Sequence, residues 1–496
     1  MNNKKSTVFS IPSYAAFLIL FVFFGIILNI TLNAFDVSLI DKLTIATAFV
    51  FVSYCYIFAI LLKLYRQISF LFIFILLSIP FSYGQHFVAI FDYDYLRYYQ
   101  NFHILDGRLA DSSIINATFM IIIFLLLLTF GYIMVNDRYK NDFSEAVIEK
   151  PTKENTKHYS IYSLVAIIFL IISIYPAFKE VYAQYSLSQQ FGYLMRRQIE
   201  NQWNYHEILG VSLREIYIAD WFLPAIYMLI MSISKKRLRW IPYSILMVYS
   251  MIYMLTGSRF TLIKIFLNIF LIEYLWHKSI KKKHLKYLPI VLFPLIIVLG
   301  ILTNLRGSAG YSIQSIADSV FDYLTGRPFS SIFWETGITF TTVSNVIDKV
   351  PSVLPFFNGK SFIGAIIICL PDFLRFGFTD TYTLTISSSL SPLYYNTNNF
   401  GYGSSIYAEQ FYNFGYLYFI FAGLIGSGIG FLEKKLLESN AKRKIATFLT
   451  ISFILGELLY SVRNDLYAIP RLALFSLGIP LFTIFILKIV NRSLKR

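Results

Sequence analysis

The densest run of groups able to do chemistry lies between Gly401 and Gly415, and reads Gly-Tyr-Gly-Ser-Ser-Ile-Tyr-Ala-Glu-Gln-Phe-Tyr-Asn-Phe-Gly. A helix beginning at Ser404 would place Ser405, Glu409, Tyr412, Asn413 and Tyr416 on one polar face, because residues three and four apart are helical neighbours. Glu409 is then a candidate general base, provided it sits at a boundary where partial desolvation suits it to take a proton from a hydroxyl. The plainer reading makes this a capping and packing motif, with Glu409 paired to an arginine.

Several arginines stand at breaks in apolar sequence. Arg259 follows Gly257-Ser258 at the start of a helix, so its guanidinium and the free backbone N–H groups can address one anion together. Arg306 lies in Asn304-Leu305-Arg306-Gly307, Arg327 follows Gly326, and Arg463 stands about two helical turns past Glu457. Arg196 and Arg197 are adjacent in a helix-like stretch, so they point in different directions and one of them is the better candidate. Guanidinium stays charged and grips phosphate oxygens with a planar fork, so Arg259 and Arg306 are candidate catalytic groups. Arg327, Arg196, Arg197 and Arg463, with Ser405, Tyr412 and Asn413, are candidate substrate or diphosphate ligands.

Other polar residues carry weaker signals. Asp92-Tyr93-Asp94 is a D-x-D of the kind that can hold a metal, but such a pair is common by chance. Lys264 and Glu273 fall inside an apolar stretch and are expected to be paired or to reach toward the interface. His86, His103 and His206 are given no role. Cys55 and Cys369 are the only cysteines; no structural disulfide and no metal site is expected of them.

The elements that position these residues follow from hydropathy. The chain of 496 residues is 56% hydrophobic and 14% charged, where a soluble domain carries roughly a quarter charged residues. Runs of about twenty apolar residues, the length that spans a bilayer, fall at 12–32, 43–62, 68–89, 114–135, 159–178, 216–234, 240–256, 260–277, 287–305, 411–431, 446–462 and 472–490. The expectation is an all-α, polytopic membrane protein of about twelve transmembrane helices. Residues 1–305 hold the first nine and 411–496 the last three. Between them, 306–410 form a large outer loop, partly helical and docked on the outer leaflet. Within it Ile313, Ile316, Val320 and Leu324 repeat at helical spacing, as for an amphipathic surface helix. Gly426-xxx-Gly430 reads as close helix packing. The N-terminal run lacks a small-x-small cleavage site and is read as a retained first helix.

Basic residues set the orientation. With the N-terminus inside, Lys63 and Arg66, 136–158, Lys235 to Arg239, Lys281 to Lys283, Lys434 to Lys444 and Arg492 to Arg496 all fall in the cytoplasm. The outer segments then hold Lys42, Lys179, Lys349 and Lys360, but also Arg97, Arg108, Arg196, Arg197, Arg214, Arg259, Arg306, Arg327, Arg375, Arg463 and Arg471. The positive-inside rule depletes both types, so an outer face that keeps arginine selectively points to an anionic ligand; pairing with carboxylates or lipid headgroups accounts for part of the set. The net charge of +15 is explained by the cytoplasmic anchors, and nucleic acid is not an expected partner.

In Thr256-Gly257-Ser258-Arg259, in Leu305-Arg306-Gly307, and above all in Gly403-Ser404-x-x-x-Ala408-Glu409-x-x-x-Asn413-Phe414-Gly415, the chain resembles the O-antigen polymerase (Wzy) family. The likeness is one of architecture over the whole chain, with short motifs in its second half. It implies a GT-C-like glycosyltransferase of the bacterial inner membrane, with both termini cytoplasmic. Such an enzyme transfers a growing glycan from undecaprenyl diphosphate onto one undecaprenyl-diphosphate-linked repeat unit, with inversion and without metal or other cofactor. A chain-length regulator and a flippase would be its protein partners. Three other readings compete. An O-antigen ligase typically presents a histidine in its large outer loop, and 306–410 contain none. A lipid-linked oligosaccharide flippase should show two similar halves. The third is a polyprenyl-phosphate-sugar transferase using Asp92 or Asp94.

Overall fold

The computed structural model describes residues 11–65, 69–94, 109–136, 153–200, 205–256, 259–280, 317, 320–321, 328–370, 374–375, 384–386, 389–390, 404–467 and 469–493. All regular structure among them is helical. Nine helical stretches among these residues are long and apolar enough to cross a membrane: Ser13–Ala34, Leu39–Leu64, Phe70–Phe91, Asp111–Asn136, Ser160–Gly192, Leu213–Ser232, Lys236–Leu255, Ile406–Ala441 and Ile469–Asn491. Ile445–Tyr460 is apolar but shorter, and Arg259–Leu271 runs on through a π-helical turn to Trp276. These eleven fall where the sequence expects spans. The expected span 287–305 lies outside the described residues, as does most of the expected surface helix at 313–324.

The helices used below are α1 (Ile11–Ala34), α2 (Leu39–Tyr65), α3 (Phe70–Phe91), α4 (Asp111–Asn136), α5 (Lys153–Glu200), α6 (Leu213–Ala219), α7 (Phe222–Ser232), α8 (Trp240–Leu255) and α9 (Arg259–Leu271). They continue with α10 (Pro328–Lys349), α11 (Lys360–Ile367), α12 (Ile406–Phe414), α13 (Tyr418–Ala441), α14 (Ile445–Tyr460), α15 (Ile469–Leu472) and α16 (Gly478–Ser493). The bundle has a Lys-rich end, with Lys235, Lys236, Lys434 and Lys435, and an opposite end that carries Arg463 and Arg471.

α4 is apolar all round and buried along most of its length, as a central helix must be. α13 lies parallel to it at backbone contact. A Cβ on Gly426 would stand 1.9 Å from the Leu128 carbonyl oxygen, and one on Gly131 2.0 Å from that of Gly423. Small residues are what allow helices to pack this closely where lipid competes for apolar surface, so the Gly426 motif serves packing, as its spacing predicts. At the Lys-rich end Glu433 of α13 accepts the Phe70 N–H at 3.2 Å and the Tyr132 hydroxyl at 2.7 Å, joining α3, α4 and α13.

α10 belongs to the expected outer segment 306–410. This part of 306–410 packs into the bundle across α3. A Cβ on Gly84 would meet the Phe333 carbonyl oxygen at 2.2 Å, and one on Gly337 the Gln85 nitrogen at 2.4 Å. Its ends are tied down: Ser330 donates to Asp92 at 2.6 Å, and Ser113 donates to Asp348 at 2.9 Å. Asp92 of the D-x-D is thereby engaged in holding α10.

α12 and α13 are continuous in hydropathy, and the 36 residues from Ile406 to Ala441 would run about 54 Å as one helix. Gly415 breaks them, with φ at +54°, a region glycine enters without steric cost. Tyr407 of α12 meets Phe124 of α4 edge-on at 5.2 Å, and Tyr418 at the start of α13 stacks on the same ring at 6.5 Å. Phe124 stands near the middle of α4, thirteen residues from Asp111 and twelve from Asn136, so α12 meets α4 about halfway along its length.

Candidate functional site

α12 is held at both ends and in its middle. Ser405 caps it, its side chain accepting the Ala408 N–H at 3.2 Å. The Ile406 N–H donates to the Ser461 carbonyl at 2.7 Å, and the Phe357 N–H donates to the Tyr412 carbonyl at 2.8 Å. Tyr412 stacks on Phe357 at 4.7 Å. Between these anchors lies Glu409, fully enclosed. One carboxylate oxygen accepts from Ser361 of α11 at 2.7 Å, and the other accepts the Leu466 N–H at 2.8 Å. Asn413 completes the unit by donating to the Ser361 hydroxyl and to its own helix at the Glu409 carbonyl, both at 2.8 Å.

Ser405, Glu409, Tyr412 and Asn413 thus share one buried environment, as their spacing predicts. Tyr416 does not: it is 76% exposed, because the break at Gly415 takes it off the α12 face. Glu409 also departs from expectation in its setting. It is sealed within protein instead of half-exposed, and its hydrogen-bond partners among the described residues are a hydroxyl and a backbone amide rather than an arginine. With both oxygens engaged, no acceptor hydroxyl reaches it in this arrangement.

The turn after α14, residues 461–467, is the partner surface of α12. It brings Asp465 beside Glu409. Asp465 is itself buried; its carboxylate accepts backbone N–H groups of Tyr467 and Ile386, and burial pushes its pKa up to about 6. Arg463 on the same turn lies 5.9 Å above the Phe81 ring of α3. Sequence reasoning passed over Asp465 and Ser361. The visible signal for Asp465 was a carboxylate in a short outer turn flanked by Arg463 and Arg471.

Of the other arginines, Arg196 lies beyond Gly192 in α5, where φ at +76° interrupts the helix, and is 1% exposed. That burial is unusual for an arginine outside a site or an ion-pair network. Arg259 begins α9 as its motif predicts, but its side chain, like that of Arg197, is not among those described. Arg306 and Arg327 lie outside the described residues. Arg375 donates its Nε to the Leu370 carbonyl at 3.0 Å.

A second polar group stands between α6–α7, α9, α14 and α15. Lys264 donates to both oxygens of Glu457, at 2.9 and 3.0 Å, and lies 5.3 Å over the Tyr460 ring. Arg471 donates to the Tyr217 hydroxyl at 3.0 Å. Asp220 is electrostatically coupled to Arg471, Lys264 and Glu457. Lys264 is paired as expected, and so is Glu273, which accepts from Arg239 and from Tyr243 at 2.5 Å at the Lys-rich end. His86 is enclosed between Thr118, at 2.8 Å from its Nε2, and the edge-on Phe340 ring.

Acids and guanidinium groups therefore gather between Glu457 and Arg471, at the end of α14 away from the Lys clusters. Such a place can bind an anion and move a proton while apolar tails remain in lipid. A family model described as O-antigen polysaccharide polymerase Wzy matches residues 14–496. No curated protein and no solved structure matches the chain.

Proposed function

Because the chain belongs to the O-antigen polysaccharide polymerase Wzy family, and so to enzymes that polymerise oligosaccharide repeat units, we propose that it extends a glycan carried on undecaprenyl diphosphate. The growing chain is the donor, and a single lipid-linked repeat unit is the acceptor. Transfer inverts the anomeric centre and proceeds without metal, on the outer face of the bacterial inner membrane. In place of a metal, arginines meet the charge of the departing diphosphate. Arg259 and Arg306 are assigned to that task, with Arg196, Arg197, Arg327 and Arg463 as further ligands of the lipid-linked anions.

The observation that carries this reading is the meeting of α12 with the 461–467 turn, beside Phe124 of α4. Two substrates with polyprenyl tails and polar glycans must react where lipid and water meet, and this polar unit is set into an apolar bundle at the end of α14 away from the Lys clusters. The same geometry supports a positioning role for Glu409. For it to act as the base, its bonds to Ser361 and Leu466 must open. Closed, they fix α12 against the turn that carries Arg463 and Asp465.

The test is the surface glycan pattern. Cells lacking the gene should show single-repeat product and no long chains, and Arg259→Ala or Arg306→Ala at normal expression should do the same. Normal chain-length ladders in both variants would remove the site assignment; a normal ladder in the deletion strain would remove the function. Loss of even single-repeat product would point instead to a flippase.

A further inference from the structure

The enclosed state of Glu409 leaves the proposed transfer without an accessible base, and the second polar group provides one. Asp220 stands at the break between α6 and α7, where its own N–H closes the end of α6 on the Ile216 carbonyl at 3.2 Å. The break is clamped from the other side: Trp221 donates its indole N–H to the Phe475 carbonyl at 3.0 Å. Tyr217 precedes Asp220 by one helical turn and shares its face, and Arg471 is bonded to the Tyr217 hydroxyl at 3.0 Å. Lys264 is already neutralised by Glu457. Asp220 therefore feels three charged neighbours, yet among the described residues its carboxylate takes no hydrogen bond and no ion pair. Unlike Glu409, it keeps accessible surface.

An acid and a guanidinium coupled but not in contact, with a phenol fixing the guanidinium, leave a gap between opposite charges. Intramembrane ionisable residues left open in this way mark substrate or proton sites rather than packing. Inverting transfer needs just this separation: a base on the acceptor side of the anomeric carbon, and positive charge on the leaving-group side.

We propose that Asp220 is the general base of the transfer and that Arg471, held by Tyr217, is a further ligand of the leaving diphosphate, in addition to Arg259 and Arg306. Asp220 takes the proton of the acceptor hydroxyl as that oxygen bonds to the anomeric carbon. The bond from that carbon to the diphosphate oxygen breaks, and its electron pair leaves with the diphosphate beside Arg471. The proton then passes from Asp220 to water. This rests on the polymerase reading above and assigns the base within it.

The experiment uses full-length protein in membranes with purified lipid-linked repeat unit, comparing wild type, Asp220→Asn and Asp220→Glu at matched amounts. General-base contributions are about 10²- to 10⁴-fold, so Asp220→Asn should lose at least about 100-fold in turnover while binding the repeat unit as wild type does. Asp220→Glu, which keeps a carboxylate, should recover part of that turnover. Turnover of Asp220→Asn within threefold of wild type overturns the assignment, and so does a loss that appears in binding instead of turnover. Should Asp220→Asn fail to accumulate, Asp220→Glu decides alone: turnover that stays above background and rises with pH supports the base, and its absence from correctly inserted protein overturns it. Wild-type membranes that make no polymer from the repeat unit would instead remove the polymerase reading itself.

Discussion

Glu409 accepts the Leu466 N–H at 2.8 Å across 57 residues of chain, and this bond locks α12 to the turn after α14. Its other oxygen holds Ser361, so one carboxylate joins three segments that the sequence separates. Removing it strands a buried N–H and a buried hydroxyl, each costing about 1–3 kcal/mol. Glu409→Ala should lower stability by about 2–4 kcal/mol and Ser361→Ala by less, since Ser361 contributes one hydroxyl. Thermal unfolding in detergent checks the order. A Glu409→Ala midpoint within a degree of wild type would show that α12 is held by its caps alone.

The glycines of α13 separate backbone contact from mere helix composition. A Cβ on Gly426 meets the Leu128 carbonyl at 1.9 Å, whereas one on Gly428, two residues on, meets nothing within 4 Å. A carbonyl oxygen in a helix cannot swing aside, so Gly426→Ala must push α4 and α13 apart. Overpacking of this kind costs about 1–3 kcal/mol or more. Gly428→Ala should be neutral or slightly stabilising, through its better helix propensity. Thermal midpoints of the two variants should diverge; equal midpoints would contradict the α4–α13 packing.

Asp465 gives the fold a pH dependence outside the spanning segments. Its pKa is raised from 3.8 to about 6 because the carboxyl is buried. A raised carboxyl binds its proton more tightly in the folded state, so its contribution is full below about pH 4 and is lost as the pH rises through about 6. Two pKa units correspond to about 3 kcal/mol. Between pH 7.5 and 4.5, wild type should therefore gain stability relative to Asp465→Asn, which has no proton to gain. Parallel curves of unfolding midpoint against pH would show that Asp465 does not titrate in this range.

Much of this architecture is written in the sequence, because hydropathy and the Lys clusters are local signals that survive without tertiary information. The runs at 114–135 and 411–431 predict α4 and α13, and the glycine spacing at Gly426 predicts that α13 packs closely on another helix, without saying which. The α12 face was legible for the same reason: helical spacing brings Ser405, Glu409 and Asn413 together whatever surrounds them. What surrounds them was not legible. Glu409 meets Ser361 and Leu466 through tertiary folding alone, and Gly415, which removes Tyr416 from the face, acts through a φ value that its residue type permits but does not compel. The docking of α10 depended on Gly84 and Gly337 facing each other, 253 positions apart, which no local pattern announces. Asp220 escaped notice as a single acid at the edge of an apolar run.

Lys264 and Glu457 form an ion pair 193 residues apart inside the bundle, at 2.9 Å, with the lysine 21% and the glutamate 7% exposed. A pair this enclosed adds little net stability relative to apolar residues, yet removing one partner leaves an uncompensated charge and costs about 3–5 kcal/mol. Lys264→Met should therefore destabilise strongly, and Glu457→Gln should do so as well. The double variant Lys264→Met with Glu457→Gln should recover more than half of the loss, because neither remaining side chain carries charge. Recovery distinguishes pairing from packing: two cavities would add, whereas two halves of one ion pair cancel. Thermal unfolding of the four proteins in detergent measures it, and strictly additive losses would mean that Lys264 and Glu457 are stabilised by other neighbours. Asp220 sharpens the test, since it is coupled to both members of the pair. With Lys264 gone, Arg471 is the only cation coupled to Asp220 among the described residues, so the double variant should restore stability more completely than it restores glycan polymer.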